Sequence, residues 1–180
     1  MKSQALCCVL AAFFGLALTA QVKEPTTAQT KRGRALFQQS PKGTPCATCH
    51  SMAGIGTAVG PDLTTLAKLA TPRGLVAAMQ MTMTVNVQQV KTASGTFPGI
   101  QQEKQGDEIA VWDLSATPPV LRKLTSKAIL SMTRDQQWKH PPAATEYTSQ
   151  EFADIVGFLR WAATGSQREI TVAEIEGSNQ

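Results

Sequence analysis

Thr44-Pro45-Cys46-Ala47-Thr48-Cys49-His50 is the stretch on which the reading of this chain turns. Two cysteines stand three positions apart and a histidine follows at once. The chain has four cysteines, and the other two, Cys7 and Cys8, lie in an apolar N-terminal run. If that run is removed, Cys46 and Cys49 are alone, so a disulfide framework is excluded. CxxCH is the attachment pattern for haem c. Two thioethers form to vinyl groups on one porphyrin edge, and two intervening residues let both sulfurs reach that edge. The next residue then offers its imidazole to the iron, which makes His50 the proximal ligand. Three other readings compete. A redox CxxC wants a βαβ context and a helix opening at its first cysteine, whereas a Gly/Pro-rich loop, Ser40 to Pro45, precedes this one. A zinc site could recruit Cys46, Cys49, His50 and His140, but adjacent residues fit one small tetrahedral ion poorly. A plain disulfide has no use for His50.

Toward the N-terminus, Met1-Lys2 and the apolar Ala5 to Leu18, followed by Thr19-Ala20, read as a signal peptide over residues 1–20. The apolar run is short for a membrane span; the alternative is an uncleaved N-terminal anchor. Export suits haem c, whose attachment takes place outside the cytoplasm. Cleavage removes one lysine, so the formal charge falls from +4 to +3. That mild charge carries no basic stripe interleaved with aromatics, which argues against nucleic acid. Residues 21–30 read as a linker, 31–165 as one domain and 166–180 as a tail.

Within the domain, Thr26 to Gln39 has helical spacing. Pro61 is expected to open a short helix to about Ala70, and Thr71-Pro72 to cap and start another, from Arg73 to about Met81. Residues 84–124 change character. Thr84 to Val90, Phe97 to Lys104, Glu108 to Trp112 and Pro118 to Leu124 are strand-like, with turn signals at Ala93-Ser94-Gly95 and Gln105-Gly106-Asp107. They predict a small antiparallel meander with Trp112 partly buried, shielding a haem edge or presenting a partner surface. Ser126 to Met132 reads as helix again. A loop with Trp138-Lys139-His140-Pro141-Pro142 leads to a last helix that opens at a Thr148/Glu151 capping box. The fold class is mainly α, a helical domain with an inserted β-meander.

Gly33-Arg34-Ala35-Leu36-Phe37, the CxxCH pentapeptide, Val59-Gly60-Pro61-Asp62-Leu63 and Thr148 to Leu159 together resemble the class I cytochrome c fold. The closer resemblance is to the CxxCH haem-binding domain family of planctomycete-type bacteria, over about Lys31 to Ala163. It implies that the first and last helices cross at Gly33, with Phe37 and Phe158 packed nearby. It also implies that the Pro61 carbonyl accepts a hydrogen bond from the second nitrogen of His50, and that Leu63 packs on the haem. Where class I cytochromes usually carry Met-Pro, this chain has His140-Pro141.

The expected function is one-electron transfer by a single covalent haem c, with redox partner proteins and no lasting membrane insertion. The alternatives are an enzyme or gas sensor with an open sixth iron position, or the haem subunit of a larger dehydrogenase. His140 is the expected sixth ligand. It is the only histidine besides His50, it occupies the position of the family's methionine, and Trp138 beside it can pack on the ring. Five methionines compete beyond residue 20. Met52 is too close to His50 to reach the opposite face, Met79, Met81 and Met83 lie at a helix end, and Met132 is the strongest rival.

Overall fold

The computed structural model describes residues 24–81, 86–141 and 146–177. The expected signal peptide and the first three positions of the expected linker, 21–23, therefore lie outside the described residues, as do Met83, Thr84 and Pro142.

Five helices form one part of the molecule: α1 (Ala28–Gln38), α2 (Thr64–Leu69), α3 (Pro72–Gln80), α4 (Ser149–Thr164) and α5 (Val172–Glu176). Side chains that satisfy free backbone N–H groups start most of them. Thr27, Thr71, Thr148 and Thr171 each accept a hydrogen bond from the third residue on, and Thr148 and Thr171 belong to full capping boxes with Glu151 and Glu174. Gly165, in the left-handed conformation, ends α4.

The central helix is α4, which touches α1, α2, α3 and α5. Every residue from Phe152 to Leu159 is accordingly buried. The closest approach is at Gly33, where a β-carbon would stand 1.9 Å from the Asp154 carbonyl oxygen. Phe37 and Phe158 pack beside it, 5.4 Å between ring centres. Asp154, buried within this crossing, receives both ends of the Arg32 fork at 2.7 and 2.8 Å, so the buried carboxylate is paired. The tail is part of the same core. The Gln29 amide donates to the Ile170 carbonyl at 2.7 Å and accepts from the Ile170 N–H at 2.8 Å, while Ile170 and Ile175 are buried.

The second part is a five-stranded antiparallel sheet of β1 (Gln88–Thr92), β2 (Gly95–Gln105), β3 (Glu108–Asp113), β4 (Val120–Thr125) and β5 (Ile129–Arg134), in the order β4-β3-β2-β1-β5. Two-residue turns at Ala93-Ser94 and Gly106-Asp107 join the first three strands, as their sequences predict. Two expectations are corrected. Ser126 to Met132 is not a helix; a 3-10 turn over Ser126–Ala128 leads straight into β5, which pairs with β1. The insertion therefore runs on to Arg134, and it is a meander plus a fifth strand added to the far edge. That connection forces the sheet to curl. Opposite edges of a flat five-stranded sheet lie about 19 Å apart. The chain from Thr125 to Ile129 spans about 14 Å at most. The long strand β2 bends to allow it, pairing with β1 through Gly95–Gly99 and with β3 through Gly99–Gln105. Pro98 sits where pairing with β3 stops, so its missing N–H costs little. Val90, Phe97 and Val111 fill the curled interior, with Ile109, Leu124, Ile129 and Met132 around them.

A third correction concerns Pro61, which remains outside α2. A helix opening there would need the Pro61 carbonyl for its own ladder, and that oxygen already accepts from His50. The Asp62 carboxylate instead accepts the Thr64 N–H at 2.7 Å, and the helix starts at Thr64.

Candidate functional site

The CxxCH segment is wound into one tight turn. Thr48 donates to the Pro45 carbonyl at 3.0 Å, and Cys49 and His50 both donate to the Cys46 carbonyl, at 3.1 and 2.8 Å. The turn puts both thiols and the imidazole on one wall of a cleft. The segment that follows is tied back to it. Thr57 donates to Ala47, and Val59 and Gly60 both donate to the Cys49 carbonyl, at 3.1 and 2.7 Å. These bonds bring Gly60 and Pro61 against the His50 ring. A β-carbon on Gly60 would stand 2.7 Å from the ring's Cε1, so only glycine leaves the imidazole its place. The Pro61 carbonyl lies 2.9 Å from His50 Nδ1. A carbonyl can only accept, so Nδ1 carries a proton, and in the neutral ring Nε2 is the nitrogen with the lone pair.

Burial pushes the Cys46 thiol up to about 11 and raises that of Cys49 as well. A dithiol that works by exchange needs its thiolate favoured; here the surroundings act in the opposite sense. Among the described residues no group of three or more His, Cys, Asp or Glu side chains is arranged to hold a metal ion.

His140 stands on the other side. The ring centres of His50 and His140 are 6.0 Å apart with 37° between their planes. His140 Nδ1 lies 2.8 Å from the Pro141 carbonyl, so this ring too is protonated at Nδ1 and free at Nε2. Burial lowers the pKa of His140 and so favours its neutral, ligating form. Trp138 meets the ring edge-on, 6.3 Å between centres and 89° between planes. Two imidazoles sharing one metal by bonds of about 2.0 Å, each with its ring centre about 1.1 Å behind the nitrogen, have centres about 6 Å apart. The observed separation is of that size.

The cleft between them measures about 460 Å³, and its lining is mainly apolar. The helical part contributes Phe37, Val59, Leu63, Ile155 and Leu159, and the curled sheet contributes Val87, Ile100 and Leu114. Cys46, Cys49, His50, Pro61, Leu63, Trp138 and His140 thus line one space. Of the described methionines, Met79 and Met81 reach it. Met132 packs in the sheet's interior opposite Val90, and Met52 is buried in the helical core. Two contributors are not singled out by sequence reasoning. Gly60 was readable only as part of a motif, and its fit against the ring needs the fold. Asp135, which shapes the turn before Trp138, reads in the sequence as one more surface acid.

These residues fit a haem. Two thiols stand at the wall of an apolar slot, and two imidazoles, each bonded through Nδ1 to a proline carbonyl, line it facing one another.

Residues 30–116 match the family model of cytochrome c. The match supports a c-type cytochrome, with haem c bound covalently and electron transfer as its work. Redox partners in general follow from that, and none is identified. The cytochrome c match covers the CxxCH turn, Pro61 and the first three strands, and ends before His140. No curated protein matches the chain. Among the described residues no helix is long and apolar enough to cross a membrane.

Proposed function

We propose that this chain is an exported monohaem cytochrome c that carries single electrons, its iron held by His50 and His140. The observation that carries the reading is the facing pair of imidazoles, 6.0 Å between centres, each with Nδ1 held by a proline carbonyl. Bound haem supplies the iron that cycles between Fe(III) and Fe(II). The chain's own residues hold that iron in one geometry. Pro61 fixes the His50 tautomer and strengthens its donor nitrogen, Pro141 does the same for His140, and the apolar lining keeps water from the metal. With His50 and His140 both holding the iron, no position would be left open to a substrate, which favours a carrier over an enzyme. One haem is inferred from the single CxxCH in the sequence. Export is inferred from the signal-like residues 1–20 together with that motif. The chain also resembles the CxxCH haem-binding domains of planctomycete-type bacteria, a reading supported by Gly33 to Phe37 and the segment after Thr148.

The test is spectroscopic. Haem should stay with the denatured polypeptide through acid-acetone extraction, and Cys46→Ala or Cys49→Ala should leave one thioether and little mature protein. Ferric protein should be low-spin and lack the long-wavelength charge-transfer band of methionine ligation, and its potential should lie below that of a His/Met cytochrome. His140→Ala should turn it high-spin. A low-spin spectrum unchanged in His140→Ala overturns the ligation, and Met79 and Met81 are then the described methionines to examine. Mass spectrometry of the mature N-terminus checks cleavage after Ala20.

A further inference from the structure

The turn that delivers His140 is folded by one carboxylate. Asp135 follows the last residue of β5 and is 6% exposed. Its N–H donates to the Val87 carbonyl at 2.9 Å. One carboxylate oxygen accepts the backbone N–H groups of Gln137 and Trp138, both at 2.9 Å, and the other accepts the side-chain amide of Gln89. Among the described residues these are the only hydrogen bonds that reach 136–139. The bonds hold the carboxyl below the usual carboxylate range although burial opposes it. Asp113, at the end of β3, is the useful contrast. It folds its own turn by accepting from Ser115, but it is paired with Arg122. Among the described residues Asp135 has no such ion pair, only neutral N–H donors.

We infer that Asp135 is a positioning residue for the sixth iron ligand: its buried carboxylate fixes the turn that holds Trp138, and through Trp138 the His140 ring, opposite His50. The inference rests on the His50/His140 ligation proposed above. A carboxylate that accepts two successive backbone N–H groups sets the direction of the chain leaving β5. Trp138 is then anchored at its backbone. Its ring stands against the edge of the imidazole and limits where His140 can swing. The curled sheet is thereby more than a wall: its first and last strands, through Val87, Gln89 and Asp135, are the frame from which the distal ligand is aimed.

The experiment uses haem-loaded wild type, Asp135→Ala, Asp135→Asn and His140→Ala. It reads the ferric spin state and the stopped-flow rate of imidazole binding. An asparagine keeps one oxygen for both N–H groups, while the Gln89 amide turns over to face it. His140→Ala should be high-spin and open. Asp135→Ala should show a high-spin component and bind imidazole about tenfold faster than wild type or more, as loss of charge-assisted hydrogen bonds implies. Asp135→Asn should stay low-spin and within about twofold of wild type. A wild-type rate in Asp135→Ala overturns the inference. So does an Asp135→Asn rate equal to that of Asp135→Ala, because charge and not the turn would then be at work. If Asp135→Ala yields no folded protein, Trp138→Ala decides: it should accelerate imidazole binding likewise, and an unchanged rate overturns the inference. A low-spin His140→Ala marks failure of the ligation itself and takes the inference with it; an open His140→Ala beside a closed Asp135→Ala marks failure of the positioning role alone.

Discussion

His50 and His140 are held by hydrogen bonds of the same kind, yet the two sides of the cleft are assembled in opposite ways. The proximal side is local. Cys46, Cys49, His50, Gly60 and Pro61 lie within one short stretch, joined by backbone hydrogen bonds. The distal side is put together from distant pieces. His140 follows a turn that is fastened to the start of β1, and β1 holds β5 only because the whole sheet curls. A local site survives damage elsewhere. A site carried on a frame moves when the frame loosens.

Four substitutions put that contrast under strain. The largest effect should come from Gly33→Val, which places a branched side chain where a β-carbon already stands 1.9 Å from the Asp154 carbonyl. It should cost about 4 kcal/mol or more and remove both sides of the cleft together. The check is the yield of folded, haem-loaded protein, and a wild-type thermal midpoint would refute the account of the crossing. Phe97→Ala comes next. Its ring is buried in the curled sheet beneath the Arg122 guanidinium, 4.7 Å away, and truncation should cost about 3–5 kcal/mol. Here the two sides should part company. Haem should remain attached, while the low-spin spectrum is lost at a lower temperature than the helical signal.

Gly60→Ala should do the reverse at lower cost, about 1–3 kcal/mol, by pushing on the His50 ring. Spectral change is expected at the proximal ligand with no gain in imidazole binding on the distal side; an unaltered spectrum would show that the loop yields. The smallest effect lies outside both sides. Arg168 and the Thr171 cap hold the Glu174 carboxyl at about 2. A pKa lowered in the folded state stabilises the fold above the ordinary carboxylate pKa, and that contribution is lost as pH falls from about 4.5 through 2. The pair is partly exposed, so the contribution should be about 0.5 kcal/mol. Thermal midpoints of Glu174→Gln and wild type should therefore differ at pH 6 and converge near pH 2. A constant gap across that range would assign the stability to something else.

The same contrast explains what could be read in advance. The CxxCH turn, the Pro61 contact, the threonine caps and the two hairpin turns depend on neighbours in sequence, and their residues show it. The strand β5 does not. Its exposure does not alternate cleanly along Ile129 to Arg134, and its state is decided by pairing with β1, some 40 positions earlier. Helical expectation failed there because nothing within the segment carries the signal. Pro61 misled for a related reason: it is a good first residue for a helix, but His50 had claimed its carbonyl. Asp135 could have been found, since an aspartate beside a strand end often bonds the backbone two residues on. That the bond would aim a ligand could not be read without the fold.

The crossing of α1 and α4 also sets an order in time. Arg32 and Asp154 meet across 122 positions, and Gln29 and Ile170 across 141. A chain made from its N-terminus presents both cysteines and His50 long before the helix that closes over them exists. Until α4 arrives, the two thiols stand unsheltered, close enough in sequence to oxidise to one another and equally open to whatever attaches the haem. In chain order, α4 and the tail that packs on it come after the whole CxxCH turn. A chain cut short before Ser149 would keep Cys46, Cys49 and His50 but lose Ile155 and Leu159 from the apolar wall of the cleft.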